Sequence, residues 1–168
     1  FTVFADIGIN PILTREVAKH PERADHYFAT AFWIKLALLV FTMLLIVFVA
    51  PYFSKIEGAV PLLAFVAFLT LLDGLREFEI AFFRSKEKME LEALVTTLTN
   101  VAITVFGFII LKMSPTPHAL AVTYALSAGA GTVAGIVILR KHFLRIFSFF
   151  RTDLLRYIMR TAWPIAVM

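Results

Sequence analysis

The sequence predicts an all-α fold, a polytopic bundle of transmembrane helices, on three observations. The 168 residues are 60% hydrophobic and only 17% charged, with a mean hydropathy of +0.85, too little polar surface to cover a soluble core of this size. The apolar residues come in long blocks, and a backbone in lipid must satisfy its own hydrogen bonds, which makes helices the default. Basic residues alternate with those blocks. Arg15, Lys19 and Arg23 precede the first complete block, Arg84, Lys86 and Lys88 follow the second, and Arg140, Lys141, Arg145, Arg151, Arg156 and Arg160 follow the fourth. These are 12 of the 16 Lys and Arg residues. An even number of crossings separates the three groups, so they share one side, which the positive-inside rule assigns to the cytoplasm. The loops around 10–26, 84–90 and 140–160 are therefore expected to be cytoplasmic, in a multi-pass protein of the cytoplasmic membrane.

Taken in order, Phe1 to Ile9 reads as the tail of an earlier span. Asn10-Pro11 fits a helix cap followed by Pro at the first helical position, which predicts a short helix over Ile12 to Lys19. His20-Pro21 breaks it, and Pro21 opens the helix that runs into the first complete span, Phe28 to Phe53, interrupted by Lys35 and closed by Pro51. The second span starts near Ala59, stays uncharged through Leu72, and continues as a helix carrying Asp73, Arg76, Glu77 and Glu79. The third, Ala93 to Leu111, has 19 residues without a charge, and the fourth, Ala119 to Leu139, has 21. Each reaches across ~30 Å of hydrocarbon at ~1.5 Å per residue. Ser114-Pro115-Thr116-Pro117 predicts a short rigid turn between them. The segment 140–160 carries Phe143, Phe147, Phe150, Leu154 and Ile158 at helical steps between arginines, which predicts an amphipathic helix on the anionic leaflet. A linker role and a guide for a lipid substrate are both open to it. A further span opens near Thr161.

Charges inside the spans are the candidate functional residues. A mid-membrane charge costs ~2.5–3.5 kcal/mol on insertion scales, so such residues usually face a protein interior or a water-filled cavity. Asp73 follows 14 uncharged residues and so lies ~21 Å into its span. Asp73, Arg76, Glu77, Ile80 and Arg84 share a helical face. That face either lines a hydrophilic pathway or holds a local Asp73–Arg76 pair where the helix leaves the membrane. Lys35, beside Trp33, either snorkels to the interface or binds an anion in a cavity. Gly131 and Gly135, within a run of small residues, allow close helix contact. Asn100 and the threonines Thr96, Thr97, Thr99 and Thr104 polarise the third span.

Some chemistry is absent from the sequence. No phosphate-binding GxxxxGK[ST] loop and no HExxH occur, four scattered histidines do not suggest a metal site, and no Ser, His and Asp set shares a plausible pocket. With no cysteine, disulfides and thiolate metal sites are excluded. No catalytic residue, metal or cofactor is expected.

The opening stretch, Phe4-Ala5-Asp6-Ile7-Gly8-Ile9-Asn10 followed by Leu13-Thr14-Arg15-Glu16-Val17-Ala18, resembles the signature of polysaccharide flippases. These are lipid-linked oligosaccharide (O-antigen-type) flippases of the multidrug/oligosaccharidyl-lipid/polysaccharide flippase superfamily. The resemblance implies that 1–139 hold the end of the second to the sixth helix of an N-terminal six-helix lobe. It makes 140–160 the cytoplasmic linker between lobes, and 161–168, with Trp163-Pro164, the start of a seventh helix. The chain is then an internal piece, truncated at both ends, whose partners include a C-terminal lobe of the same protein, membrane lipids and the lipid-linked oligosaccharide. The implied function is a transporter, not an enzyme, that flips polyprenyl-diphosphate-linked oligosaccharide by alternating access for polysaccharide biosynthesis. A cationic cavity would attract the diphosphate, with Arg15, Lys35 and Arg76 as substrate-binding candidates and Asp6 and Asp73 as gating or ion-coupling candidates. A multidrug or cation antiporter of the same superfamily, a membrane-embedded glycan-assembly enzyme and a scaffolding subunit are the competing readings.

Overall fold

The computed structural model describes residues 8–53, 59–114 and 116–167, with only the backbone of 51, 53, 59–62, 117 and 163–167. Asp6 and the rest of the opening motif before Gly8, together with Lys55 and Pro115, lie outside the described residues. The described chain is helical: α1 Ile9–Lys19, a 3₁₀ turn Pro21–Arg23, α2 Ala24–Phe48, α3 Ala50–Phe53, α4 Ala59–Ser85, α5 Met89–Met113, α6 Pro117–Ile138, α7 Arg140–Phe143 and α8 Thr152–Val167. Among the described residues, three stretches are long and apolar enough to cross a membrane: Pro21–Phe48, Met89–Met113 and His118–Ile138. The fourth long helix, the 27-residue α4, packs between α2 and α6, so it shares their layer.

Local chemistry shifts several boundaries. The first helix begins at Ile9, not Ile12, because Gly8 adopts a left-handed φ of 69° and serves as the cap. Pro11 then falls in the first turn, where its missing N–H is not needed. Pro51 does not close the first span. The long helix ends at Phe48, and Pro51 sits inside the separate short α3, because a proline ring in a continuous helix would collide with the carbonyl four residues earlier. At the start of α6, the Thr116 hydroxyl accepts from the Ala119 N–H at 3.2 Å, and Pro117 occupies the first turn.

The segment 140–160 is not one amphipathic helix. Its first turn, α7, is followed by a chain of turns to Phe149, and α8 then runs without a break from Thr152 through 161 to Val167. The reason is that its backbone and the His142 side chain are tied to the start of α2. His142 Nδ1 bonds the Asp25 carboxylate, the Phe149 carbonyl meets His26 Nδ1 at 3.1 Å, and the Arg151 N–H donates to Thr30 at 3.3 Å. Phe143 leaves the expected lipid-facing stripe to pack edge-on against Phe28 and Phe32. Ile158 is buried as well. Trp163 and Pro164 fall inside α8, where only the backbone is described.

The core joins α1, α2 and the lower half of α4, with Ile9, Ile12, Leu13, Phe28, Phe78, Phe82 and Phe83 buried. Phe28 meets Phe82 and Leu39 meets Gly74, so α2 and α4 run antiparallel. Outside the core the polarity is reversed relative to a soluble protein. On α5, Leu94, Leu98, Val101, Val105 and Phe108 form an exposed apolar stripe, a surface that hydrocarbon solvates and water does not. The three basic segments meet at one end of the bundle, where Asp25, Lys86 and His142 converge.

Candidate functional site

Periodicity divides α4 into three faces. Phe78 and Phe82 turn towards α2, Leu72, Arg76 and Glu79 towards α6, and Glu77, Ile80 and Arg84 towards α1. The α1 side opens into a cleft of about 500 Å³ lined by Asn10, Thr14 and Arg15 from α1 and Glu77, Ile80 and Arg84 from α4. The Thr14 hydroxyl fastens the two helices by donating to the Ala81 carbonyl at 3.2 Å. Glu77, Ile80 and Arg84 thus share a polar face, and it looks onto the helix that carries Arg15.

Both cleft arginines are accessible: the Arg15 side chain is 47% exposed and that of Arg84 53%. Each has a carboxylate partner, Glu16 for Arg15 at 2.8 Å and Glu92 for Arg84. These partners push both guanidinium pKa values upwards, first through the hydrogen bond and then through the charge.

The next group along α4 is less exposed. Arg76, 14% exposed, donates to Asp73 Oδ1 at 3.2 Å and lies 3.6 Å from Glu77 Oε1. The Tyr124 hydroxyl of α6 donates to the other Asp73 oxygen at 3.3 Å. A local Asp73–Arg76 pair and a polar face coexist here, since one side of the same turn pairs and the other opens on the cleft.

The three cationic candidates do not converge. Arg15 lies in the α1–α4 cleft, Arg76 lies on the α6 side, and Lys35, 2% exposed, is enclosed on α2 one turn from Leu39. Enclosure removes the snorkelling reading of Lys35, because its stem does not run out to a surface. Of the acidic candidates, Asp73 joins the Arg76 group, and Asp6 lies outside the described residues. Among the described residues, no group of three or more His, Asp or Glu side chains is placed to hold a metal ion.

Three contributors were not singled out from the sequence: Arg84 as a cleft cation, Tyr124, and Glu79. Glu79 is 1% exposed, and neither carboxyl oxygen has a hydrogen-bond partner. Its spacing of seven from Leu72 and three from Arg76 puts it on the α6 stripe, a signal readable from the sequence. A separate apolar pocket of about 520 Å³ lies between α2 and α8, lined by Trp33, Ile34, Leu38, Phe147, Leu155 and Met159.

The helices and their apolar exteriors define a multi-pass helical membrane protein with a polar cleft at the end where its basic segments gather. Residues 1–168 match the profile of a family described as polysaccharide biosynthesis protein. The chain belongs to that family, and membership gives it a role in polysaccharide biosynthesis at a membrane. No curated protein and no solved structure matches the chain.

Proposed function

We propose that the chain is the N-terminal lobe of a transporter, not an enzyme, that flips a polyprenyl-diphosphate-linked oligosaccharide across the cytoplasmic membrane by alternating access. The observation that carries this reading is the α1–α4 cleft, in which the half-exposed Arg15 and Arg84 face a shared space. Guanidinium groups bind phosphate oxygens through paired, charge-assisted hydrogen bonds, and a diphosphate has enough charge to compete with Glu16 and Glu92. The basic segments at this end make it the cytoplasmic end under the positive-inside rule, the side on which a lipid-linked precursor would be taken up. Arg76 would become available when its pair with Asp73 opens, which gives Asp73 a gating role. Lys35 and Asp6 would act elsewhere in the cavity, and the C-terminal lobe would close it.

Glu77 favours a second reading, a cation antiporter of the same superfamily, because its carboxylate is 56% exposed beside the same cleft. Substitution in the full-length protein separates the two. Losing one charge-assisted contact of ~1.5–3 kcal/mol predicts that Arg15→Ala, Arg76→Ala and Arg84→Ala each lower lipid-linked oligosaccharide flipping on the order of tenfold or more. Membrane expression should be unchanged. Normal flipping and surface-glycan assembly in all three would overturn the cationic site. A loss of cation export in Glu77→Gln, with glycan assembly intact, would favour the antiporter.

A further inference from the structure

Glu79 is the one acidic side chain among the described residues whose two carboxyl oxygens are both buried and unpartnered. It is pressed against Gly135 of α6 so closely that a Cβ at that position would overlap the carboxyl. One turn earlier, a Cβ at Gly131 would overlap the Thr99 hydroxyl and lie 3.4 Å from Arg76 Cδ. The Arg76 Nε is also buried without a partner. Gly135 therefore brings the α6 backbone directly onto an acid, while Gly131 brings it onto Thr99 of α5.

The groups facing Glu79 do little to stabilise a negative charge. On α4 itself, Arg76 acts on it at a distance, but the Arg76 guanidinium is engaged with Asp73 and Glu77. From α6 come Gly131, Thr132 and Gly135, and the Thr132 hydroxyl donates to Leu72 and Ala128 carbonyls. On α5, Val95 and Thr99 are buried, and Glu92 is paired with Arg84. On the opposite flank of α4, α2 carries Lys35, and α1 carries Arg15 with Glu16. An ionised carboxylate enclosed without a donor is unfavourable by several kcal/mol. Water or separation of the helices would have to supply what the contact denies it.

We propose that Glu79 is a proton-binding site that latches α6 to α4: the close contact with Gly135 accommodates the neutral carboxyl, and loss of its proton to water parts the two helices. Proton addition to one carboxyl oxygen closes the latch, and release reopens it, with no other reactant. The site goes beyond the flippase reading and does not depend on which substrate is carried.

Two measurements on the full-length protein in lipid vesicles test it. The first is infrared titration, which should show a protonated-carboxyl C=O band at neutral pH that is missing in Glu79→Gln. The second is N-ethylmaleimide labelling of Thr132→Cys, a buried position on the α6 side, in a background freed of other cysteines. Labelling should rise as the infrared band is lost, by about tenfold more than in Thr132→Cys/Glu79→Gln, which corrects for the thiol's own ionisation. Adding Gly135→Ala should raise labelling even at neutral pH and leave only the pH dependence of the thiol's own ionisation. Should Glu79→Gln fail to insert, Glu79→Asp serves, with its band and its labelling midpoint shifting together. Absence of the neutral-pH band overturns the proposal, and so does labelling that is the same with and without Glu79. Failure of the cleft substitutions to affect transport would leave both readouts intact, so the two readings fail separately.

Discussion

The two flanks of α4 make opposite kinds of contact. Towards α2 the interface is aromatic: Phe28 sits 4.5 Å from Phe82 and 5.3 Å from Phe78 between ring centroids, and all three are fully buried. Towards α6 it is made of glycines, hydroxyls, Arg76 and Glu79. The aromatic flank is filled by large rings that interlock. The small-residue flank brings backbones close through weak contacts, and of its two acids Asp73 accepts from Tyr124 while Glu79 has no donor. One helix therefore has an aromatic side and a small-residue side, and under the proposed reading the second is the one that parts.

The largest effect expected is on the aromatic side. Phe28→Ala removes a ring that packs against Phe32, Phe78, Phe82, His142 and Phe143. A cavity there should lower stability by about 3–5 kcal/mol, read as thermal unfolding of the purified full-length protein in detergent. An unchanged melting temperature would mean that the aromatic cluster is not what joins α2 to α4.

The next effect compares two glycines. At Gly131 an added methyl meets the Thr99 hydroxyl and Cβ, and Thr99 is buried and β-branched, so it yields poorly. Gly131→Ala is expected to cost about 1–3 kcal/mol by overpacking. Gly107 has nothing within 4 Å of an added Cβ, and Gly107→Ala should change stability by no more than ~0.5 kcal/mol. The same unfolding assay reads both. Equal costs would show that the α5–α6 contact at Thr99 is loose enough to absorb a methyl.

Much of this was legible in the residues. Uncharged blocks delimit α5 and α6 to within a few residues, because lipid imposes both length and helicity. The alternation of basic segments anticipates the end at which Asp25, Lys86 and His142 meet. Of the face read from spacing, Asp73, Arg76, Glu77, Ile80 and Arg84, the last three share the cleft, whereas Asp73 and Arg76 turn towards α6. The close contact of Gly131 and Gly135 is visible from spacing. The fate of 140–160 was not legible. Its helical stripe is real, but ties from Asp25, His26 and Thr30, more than a hundred residues away in sequence, break the helix. For the same reason, the separation of Arg15, Lys35 and Arg76 is invisible until α2 and α4 are docked. Each residue has an in-span or motif position, and only packing decides which flank it occupies.

The smallest effect is expected from one polar bond across the small-residue flank. The Thr132 hydroxyl donates to the Leu72 carbonyl of α4 at 3.2 Å and to the Ala128 carbonyl of its own helix at 3.1 Å. Both carbonyls also sit in helix interiors, where they accept backbone N–H bonds from the residue four further on. Thr132→Val therefore strands no acceptor, and its second methyl fills the place of the hydroxyl. Interhelical hydrogen bonds of this kind average ~0.6 kcal/mol, and Thr132→Val should destabilise by about that much in the unfolding assay. A loss as large as that for Phe28→Ala would mean that this hydroxyl, and not shape, clamps α6 to α4. Both flanks would then be fixed, and the carboxyl of Glu79 would be held in a contact that its charge cannot open.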